Sequence, residues 1–201
     1  MKKIIVFALI ALVTTGAYAQ KKKKSGGKKA TTTATTKGVL AKVDNLVAEV
    51  KAGSFQVTIN ENGKAKDNIT VKAVDTKFAP TNVKLVSFMA SGAKLYLLSW
   101  TETTQIKTDL KTEEITNVFS IVYEIASKKQ VFSNTQMTNH ITEKVFLDRL
   151  KTASETQEKI RRDGFEFILN PDGTVTQKNK TQENKWKYDV ASMEFVDAKK
   201  K

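Results

Sequence analysis

The most densely apolar stretch between residue 20 and the C-terminus is residues 83–102, where two β-type runs flank a Ser-Gly pair. This pattern predicts a β-hairpin that turns at Ser91-Gly92. Successive side chains of a strand alternate between its two faces, and residues 95–98 are apolar on both. A strand that is apolar on both faces requires cover on both. We therefore place this hairpin at the centre of a sheet, with the rest of the fold built to bury it.

Two other segments carry apolar residues at the spacing of a helix. They predict an N-terminal helix over residues 37–52, which ends before Gly53, and an inserted helix over residues 142–164. Thr142 can cap the second helix and Gly164 can end it. Its expected buried side consists of apolar residues spaced along one face: Val145, Phe146, Leu150, Ala153 and Ile160.

The remaining segments alternate between apolar and polar residues and predict about ten antiparallel strands. The fold class is therefore mainly β (α+β), with the strands forming a curved sheet or a barrel and the two helices added to it. Asn170-Pro171-Asp172-Gly173 predicts a tight turn between two strands. Asn62-Gly63 predicts another turn, in a connection longer than two residues. The polar residues 101–114 predict a long loop or an exposed ribbon extension.

The first 19 residues have the pattern of a signal peptide. Lys2 and Lys3 precede an apolar run over residues 4–13, and Ala17-Tyr18-Ala19 is a small-x-small cleavage site. This predicts export to the periplasm or the medium, with a mature chain that begins at Gln20. The apolar run is shorter than the roughly 20 residues that span a membrane, so we expect no transmembrane segment after cleavage. The chain has no cysteine, and an exported domain without disulfides must be stabilised by its core.

The net charge of +13 is concentrated outside the predicted β-rich domain. Nine lysines before residue 38 and three after residue 198 account for twelve of the 34 basic residues, which leaves 22 against 21 acidic residues. A nearly neutral domain argues against nucleic acid as the partner. The composition predicts a lysine-rich segment without fixed structure at residues 20–36, a single domain at 37–198 and a basic tail at 199–201.

The lysine-rich segment can contact an anionic surface of the cell envelope. An alternative is that it serves only as a solubilising spacer between the cleavage site and the domain. The lysines expected to make such a contact are Lys21, Lys22, Lys23, Lys24, Lys28 and Lys29.

The sequence contains few residues that indicate catalysis or metal binding. With no cysteine and a single histidine, His140, which we place in a polar loop near a strand-to-helix junction, we expect no metal site and no cofactor. No Gly-x-Ser-x-Gly motif marks a nucleophile. We therefore predict that the protein is not an enzyme. Two carboxylates that meet in a cleft, as in a glycosidase, remain the open alternative.

The C-terminal pattern resembles the closing strands of small bacterial lipocalin-like proteins. It consists of Phe165-x-Phe167, then Asp172-Gly173-Thr174-Val175, then Trp186-Lys187-Tyr188-Asp189. The order of a helix, long strands and a second helix is also similar to that of periplasmic lipoprotein carriers. Either resemblance implies an apolar cavity for a lipid-like ligand and transfers no catalytic residue.

These observations lead to two main functional hypotheses. The first is an exported, non-enzymatic binding protein that holds an apolar or lipid-like ligand, or a peptide, on a concave sheet face. The second is a structural or adhesive envelope protein whose basic tails contact anionic surfaces. A hollow interior favours the first and a filled interior the second. The side chains expected to line the cavity are Phe88, Tyr96, Leu98, Trp100 and Tyr123.

Overall fold

The computed structural model describes residues 38–199, which form thirteen strands in three antiparallel sheets. The first sheet contains β1 (Val39–Val43), β2 (Leu46–Lys51), β3 (Ser54–Glu61) and β4 (Lys64–Ala73). The central sheet contains β5 (Thr81–Ala90), β6 (Ala93–Lys107), β7 (Lys111–Glu124), β8 (Lys129–Phe146) and β9 (Ser154–Gly164). The third sheet contains β10 (Glu166–Leu169), β11 (Val175–Lys178), β12 (Glu183–Asp189) and β13 (Glu194–Asp197). The predicted signal peptide and lysine-rich segment lie outside the described residues.

Each strand pairs with the next one along the chain within its sheet, so every sheet is a meander of hairpins. The predicted hairpin at the densest apolar stretch is confirmed as β5 and β6, which turn at Ser91-Gly92. Both turn residues have positive φ, as do Asn62 and Gly63 between β3 and β4. Two-residue loops of this kind match the twist of the flanking strands. The prediction of a longer connection at Asn62-Gly63 is therefore wrong.

The central sheet is the middle layer of three, because both of its faces are covered. Leu98 and Trp100 of β6 belong to a core that includes Phe55 and Leu46 of the first sheet. Leu95, on the opposite face of β6, belongs to a second core with apolar residues of the third sheet. The third sheet contributes Val175, Tyr188 and Phe195 to this second core. The two-sided apolar pattern of β6 thus has the two-sided cover that it requires.

Aromatic contacts fill both cores. In the first core, Trp100 stacks on Phe119 with 4.8 Å between ring centroids and meets Phe55 edge-on at 5.2 Å. In the second core, Phe132 contacts Phe195 at 5.2 Å. Such offset and edge-on pairs contribute roughly 0.5–1.5 kcal/mol each beyond the area that they bury.

A chain of three hydrogen bonds joins the central sheet to the third sheet. Trp186 Nε1 of β12 donates to Gln177 Oε1 of β11, and Gln177 Nε2 donates to Asn134 Oδ1 of β8, each over 2.8 Å. Asn134 Nδ2 then donates to the carbonyl of Phe165, also over 2.8 Å. Asn134 is buried, and this chain satisfies both of its polar atoms.

The long strands of the central sheet continue beyond the two cores. We call residues 103–107, 111–116, 138–146 and 154–164 the extension; none of them belongs to either core cluster. Ten of the eleven residues of β9, its last strand, are exposed. The structure confirms the ribbon alternative for residues 101–114, because β6 runs to Lys107 and β7 begins at Lys111.

The prediction of an N-terminal helix is wrong, because residues 39–51 form β1 and β2. Asp44 and Asn45 make a two-residue turn between Val43 and Leu46, and Asp44 has positive φ. The turn changes which residues of the following strand face the core. The apolar residues of the two short strands therefore have, together, the spacing expected for one face of a helix. The valine-rich composition also favours strands, since β-branched side chains suit a pleated sheet.

The prediction of an inserted helix is also wrong, because residues 142–164 contain the end of β8, a loop and β9. Asp148 organises the loop: its carboxylate accepts hydrogen bonds from the backbone N–H groups of Thr152 and Ala153, each over 2.9 Å. Leu150, assigned to the buried side of the helix, is 82% exposed. His140 consequently lies within β8 and not in a loop.

The barrel alternative is wrong as well, because the described sheets are open. In the central sheet β5 and β9 are the two edges and do not pair with each other. The mainly β class is confirmed, with thirteen strands where about ten were predicted and with no helix between residues 38 and 199.

Truncation of Leu95 or of Leu98 to alanine should each destabilise the protein by about 2–5 kcal/mol. Both side chains are fully buried, on opposite faces of β6, and each truncation leaves a void in a different core. Urea unfolding of the two variants measures the losses. Thr103→Ala, at an exposed position of the same strand, is the control and should stay within about 0.5 kcal/mol. A small loss at either leucine would contradict the two-core description.

Candidate functional site

The structure brings four of the five predicted cavity residues together and separates the fifth. Tyr96, Leu98, Trp100 and Tyr123 lie on the face of the central sheet that the first sheet covers, and none is more than 8% exposed. Phe88 lies on the other face and packs against the second core. The four side chains pack against one another and against the first sheet, as core residues do. Ligand binding by these residues therefore stays a prediction.

The polar atoms of two of these aromatic residues bond to the protein itself. Trp100 Nε1 donates a hydrogen bond of 2.7 Å to Glu102 Oε1, and Lys72 Nζ lies 3.0 Å from the same carboxylate. Tyr96 Oη donates to Asp44 Oδ2 over 3.2 Å. Lys94 Nζ lies 2.7 Å from that oxygen, and its hydrogen bond is the main cause that holds the pKa of Asp44 below its ordinary value. These contacts close the edge of the first core with charged groups.

The hydroxyl of Tyr123 is held in its neutral form. Burial raises the pKa of Tyr123 from 10.0 to about 12, because the phenolate would lose its hydration inside the first core. The side chain is only 4% exposed. Ionisation of Tyr123 therefore destabilises the folded state.

An open cleft lies where β9 meets the third sheet. Its volume is about 680 Å³, and none of the five predicted cavity residues lines it. Ile160, Arg162 and Gly164 of β9 form one side, while Lys178 and Lys180, at and after the end of β11, form the other. Arg162, Lys178 and Lys180 are cationic, while Asp163 and Glu166, which also line the cleft, are acidic. The cleft is therefore polar, with a small excess of positive charge, and favours a polar occupant.

Gly164 makes the cleft possible. It has positive φ, and a Cβ atom at this position would stand 2.2 Å from the carbonyl oxygen of Thr135. Only glycine permits the chain to leave β9 so close to the neighbouring strand and cross to the third sheet. A comparable close approach occurs at Gly173, in the confirmed turn before β11, where a Cβ atom would lie 2.1 Å from the carbonyl oxygen of Met89.

A row of charged and polar side chains crosses one face of the extension. Asn139 Nδ2 donates to Glu113 Oε2 over 2.7 Å, and Lys111 forms an ion pair with the same carboxylate. These bonds, with that of Lys111 first, lower the pKa of Glu113. Asn139 Oδ1 is buried without a hydrogen-bond partner in the described structure. Glu114, the next residue along β7, is exposed on the other face of the sheet.

The sequence did not indicate the cleft, because it forms between residues 160–166 and residues 178–181, which only the folded chain brings together. The clearest available signal was the basic pair Arg161-Arg162, which lies within the segment predicted as the inserted helix. Among residues 38–199, no three histidine, aspartate or glutamate side chains are grouped to hold a metal ion.

Comparison with known proteins identifies no relative: no family, no curated protein and no solved structure matches the chain. Within the described residues, no helix has the length and apolar character needed to cross a membrane.

The stability of the protein should fall between about pH 10 and pH 12 because of Tyr123. In this range the unfolded state has released the phenolic proton while the folded state retains it, so unfolding is favoured as the pH rises. Two pKa units correspond to roughly 2–3 kcal/mol. Urea unfolding at about pH 9 and about pH 11.5, compared between the parent and Tyr123→Phe, isolates this contribution. The parent should lose more stability than the variant, and equal losses would contradict the burial of the hydroxyl.

Proposed function

We propose that the protein is an exported, non-enzymatic structural or adhesive component of the cell envelope, whose basic segments contact anionic surfaces. The observation that carries the proposal is the filled interior. Trp100, on which an apolar binding cavity would depend, contacts Phe55 and Phe119 at 5.2 and 4.8 Å between ring centroids. The other three predicted cavity residues on that face are buried in the same core. A central sheet covered on both faces forms a rigid body that is suited to presenting its tails and edges.

The distribution of charge supports the adhesive part of the proposal. The described sheets hold the nearly balanced part of the sequence, and eight ion pairs join lysines to acidic side chains within them. The excess of positive charge comes mainly from the lysines before residue 38. Attraction of such lysines to anionic lipid contributes about 1 kcal/mol each near the surface.

A binding protein remains the second candidate, and the cleft is the observation that favours it. A cavity of about 680 Å³ has the size of a ligand site, and three basic side chains together with the acidic Asp163 and Glu166 give it polar walls. A polar ligand fits these walls better than the lipid-like ligand expected from the sequence. Binding of a lipid-like ligand among Tyr96, Leu98 and Trp100 would require the first sheet to separate from the central one.

Replacement of six lysines tests the adhesive function. The full chain should bind vesicles that contain anionic phospholipid, and added salt should release it, because the attraction is between exposed charges. Changing Lys21–24, Lys28 and Lys29 to glutamine should reduce the affinity by more than about a hundredfold. Co-sedimentation over a range of lipid and salt concentrations measures the effect.

The matched control changes six exposed lysines within residues 38–199 to glutamine, which removes the same charge from a different place. Suitable positions are Lys51, Lys64, Lys77, Lys84, Lys107 and Lys187. This variant should retain at least most of the affinity. Equal losses in the two variants would show that net charge alone governs binding, and no loss in the first would remove the proposed role of the segment.

A further inference from the structure

The outer edge of β9 is a long, unpaired strand edge. β9 pairs with β8 on one side, and no strand within residues 38–199 pairs with the other side. It is eleven residues long, and its pairing with β8 continues without a bulge from Ser154 to Gly164. Such an edge is a template for pairing with another strand unless the protein blocks it.

The pairing of β8 with β9 shows which residues direct their backbone groups outward. The N–H of Leu147 bonds to the carbonyl of Ala153 over 3.0 Å, in register with the ladder that follows. In an antiparallel pair, alternate residues bond to the partner strand. The odd-numbered residues of β9 therefore bond to β8. The even-numbered residues, Glu158, Ile160 and Arg162 among them, direct their N–H and C=O groups to the free edge.

The side chains of these three residues are self-complementary. If a second β9 pairs antiparallel about a two-fold axis at Ile160, Ile160 stands opposite its own copy. Glu158 then stands opposite Arg162 of the second copy, and the same pair recurs on the other side of the axis. Apolar pairs and opposite charges placed directly across two strands both stabilise the pairing.

Neighbouring registers lack this complementarity. An axis at Glu158 opposes two carboxylates, and an axis at Arg162 opposes two guanidinium groups, which destabilises either pairing. Ile160 is 52% exposed in the single chain, so the register that covers it also removes apolar surface from water. Glu158 and Arg162 form no ion pair within the described residues and are available to one another.

On the opposite face of β9, this register places Lys159 across from Arg161 of the second copy. Within each chain, an acidic side chain compensates each of these two positive charges. Lys159 Nζ lies 3.4 Å from Glu143 Oε2, and Arg161 is close enough to Glu113 to interact with its carboxylate. On the face that carries Ile160 and Arg162, these two side chains line the open cleft of about 680 Å³.

We propose that two copies of this chain associate through their β9 edges, antiparallel and about a two-fold axis at Ile160, to form one continuous sheet from two five-stranded central sheets. The reciprocal charge pairs favour a second copy over an unrelated peptide, which would have to supply the complementary residues by chance. The contact is a strand edge and not a broad face, so we expect a dimer that dissociates on dilution. The proposal does not depend on the envelope function.

Charge reversal and its compensation test the proposal. In sedimentation equilibrium of the full chain, the parent should show a concentration-dependent dimer. Glu158→Arg and Arg162→Glu each replace two attractive pairs with two repulsive ones and should weaken the dimer by about tenfold or more. The double variant restores both pairs in reverse and should return the dissociation constant to within about threefold of the parent.

Glu114→Arg is the matched control. It reverses an exposed charge on the same face of the extension, on β7 and away from the edge, and should leave the dimer unchanged. Circular dichroism melts confirm that each variant is folded. A parent that is monomeric at all concentrations overturns the proposal. The proposal is also overturned if Glu158→Arg leaves the dimer intact, or if the double variant does not restore it.

A cysteine cross-link provides a second readout, because the chain contains no cysteine of its own. Ile160→Cys places two thiols opposite each other at the axis, where Cβ atoms are about 5 Å apart. A short bifunctional thiol reagent should join the two chains in high yield. Thr103→Cys, an exposed position on β6, should not be joined. Equal cross-linking of the two variants would overturn the proposed register.

Discussion

The burial of β6 on both faces is the constraint on which the rest of the structure depends. A strand with Leu95 on one face and Leu98 on the other is stable only as a middle layer, since exposing either side chain leaves apolar surface in water. The first sheet covers one face and the third sheet covers the other. Both outer sheets are small meanders whose apolar sides have little else to pack against. The central hairpin and its two covers therefore stabilise one another.

The polar contacts follow the same arrangement. Where the first core ends, Trp100 donates to Glu102, and Lys72 neutralises that carboxylate. Where the second core ends, Asn134 and Gln177 connect the sheets through side-chain amides. Beyond these points the central strands continue without cover, and their side chains become charged. The extension is thus stabilised by strand pairing and by cross-strand charges, while the middle of the sheet is stabilised by apolar packing.

The sequence was sufficient to predict the parts of the fold that local chemistry specifies. The hairpin at Ser91-Gly92 and the turn at Asp172-Gly173 both follow from residues that adopt positive φ. The predictions of two helices were wrong because a turn at Asp44-Asn45 and a loop around Asp148 interrupt segments whose apolar residues have the spacing of a helix. The cleft beside Arg162 could not be predicted from the sequence, because it forms only when the third sheet packs on the central one. The same packing decides which aromatic side chains are core residues.

The order of the sheets along the chain has a consequence for how the protein is made. Each sheet consists of hairpins between sequence neighbours, so strand pairing can proceed locally as the chain lengthens. The first sheet is complete before β6 is synthesised and can cover the Leu98 face immediately. The Leu95 face is not fully covered until the third sheet is complete, because Val175, Tyr188 and Phe195 all follow the central sheet along the chain. During that interval the nascent chain displays an apolar sheet face that is prone to aggregation, and a ribosome that stops early releases a molecule in which this face is permanently exposed.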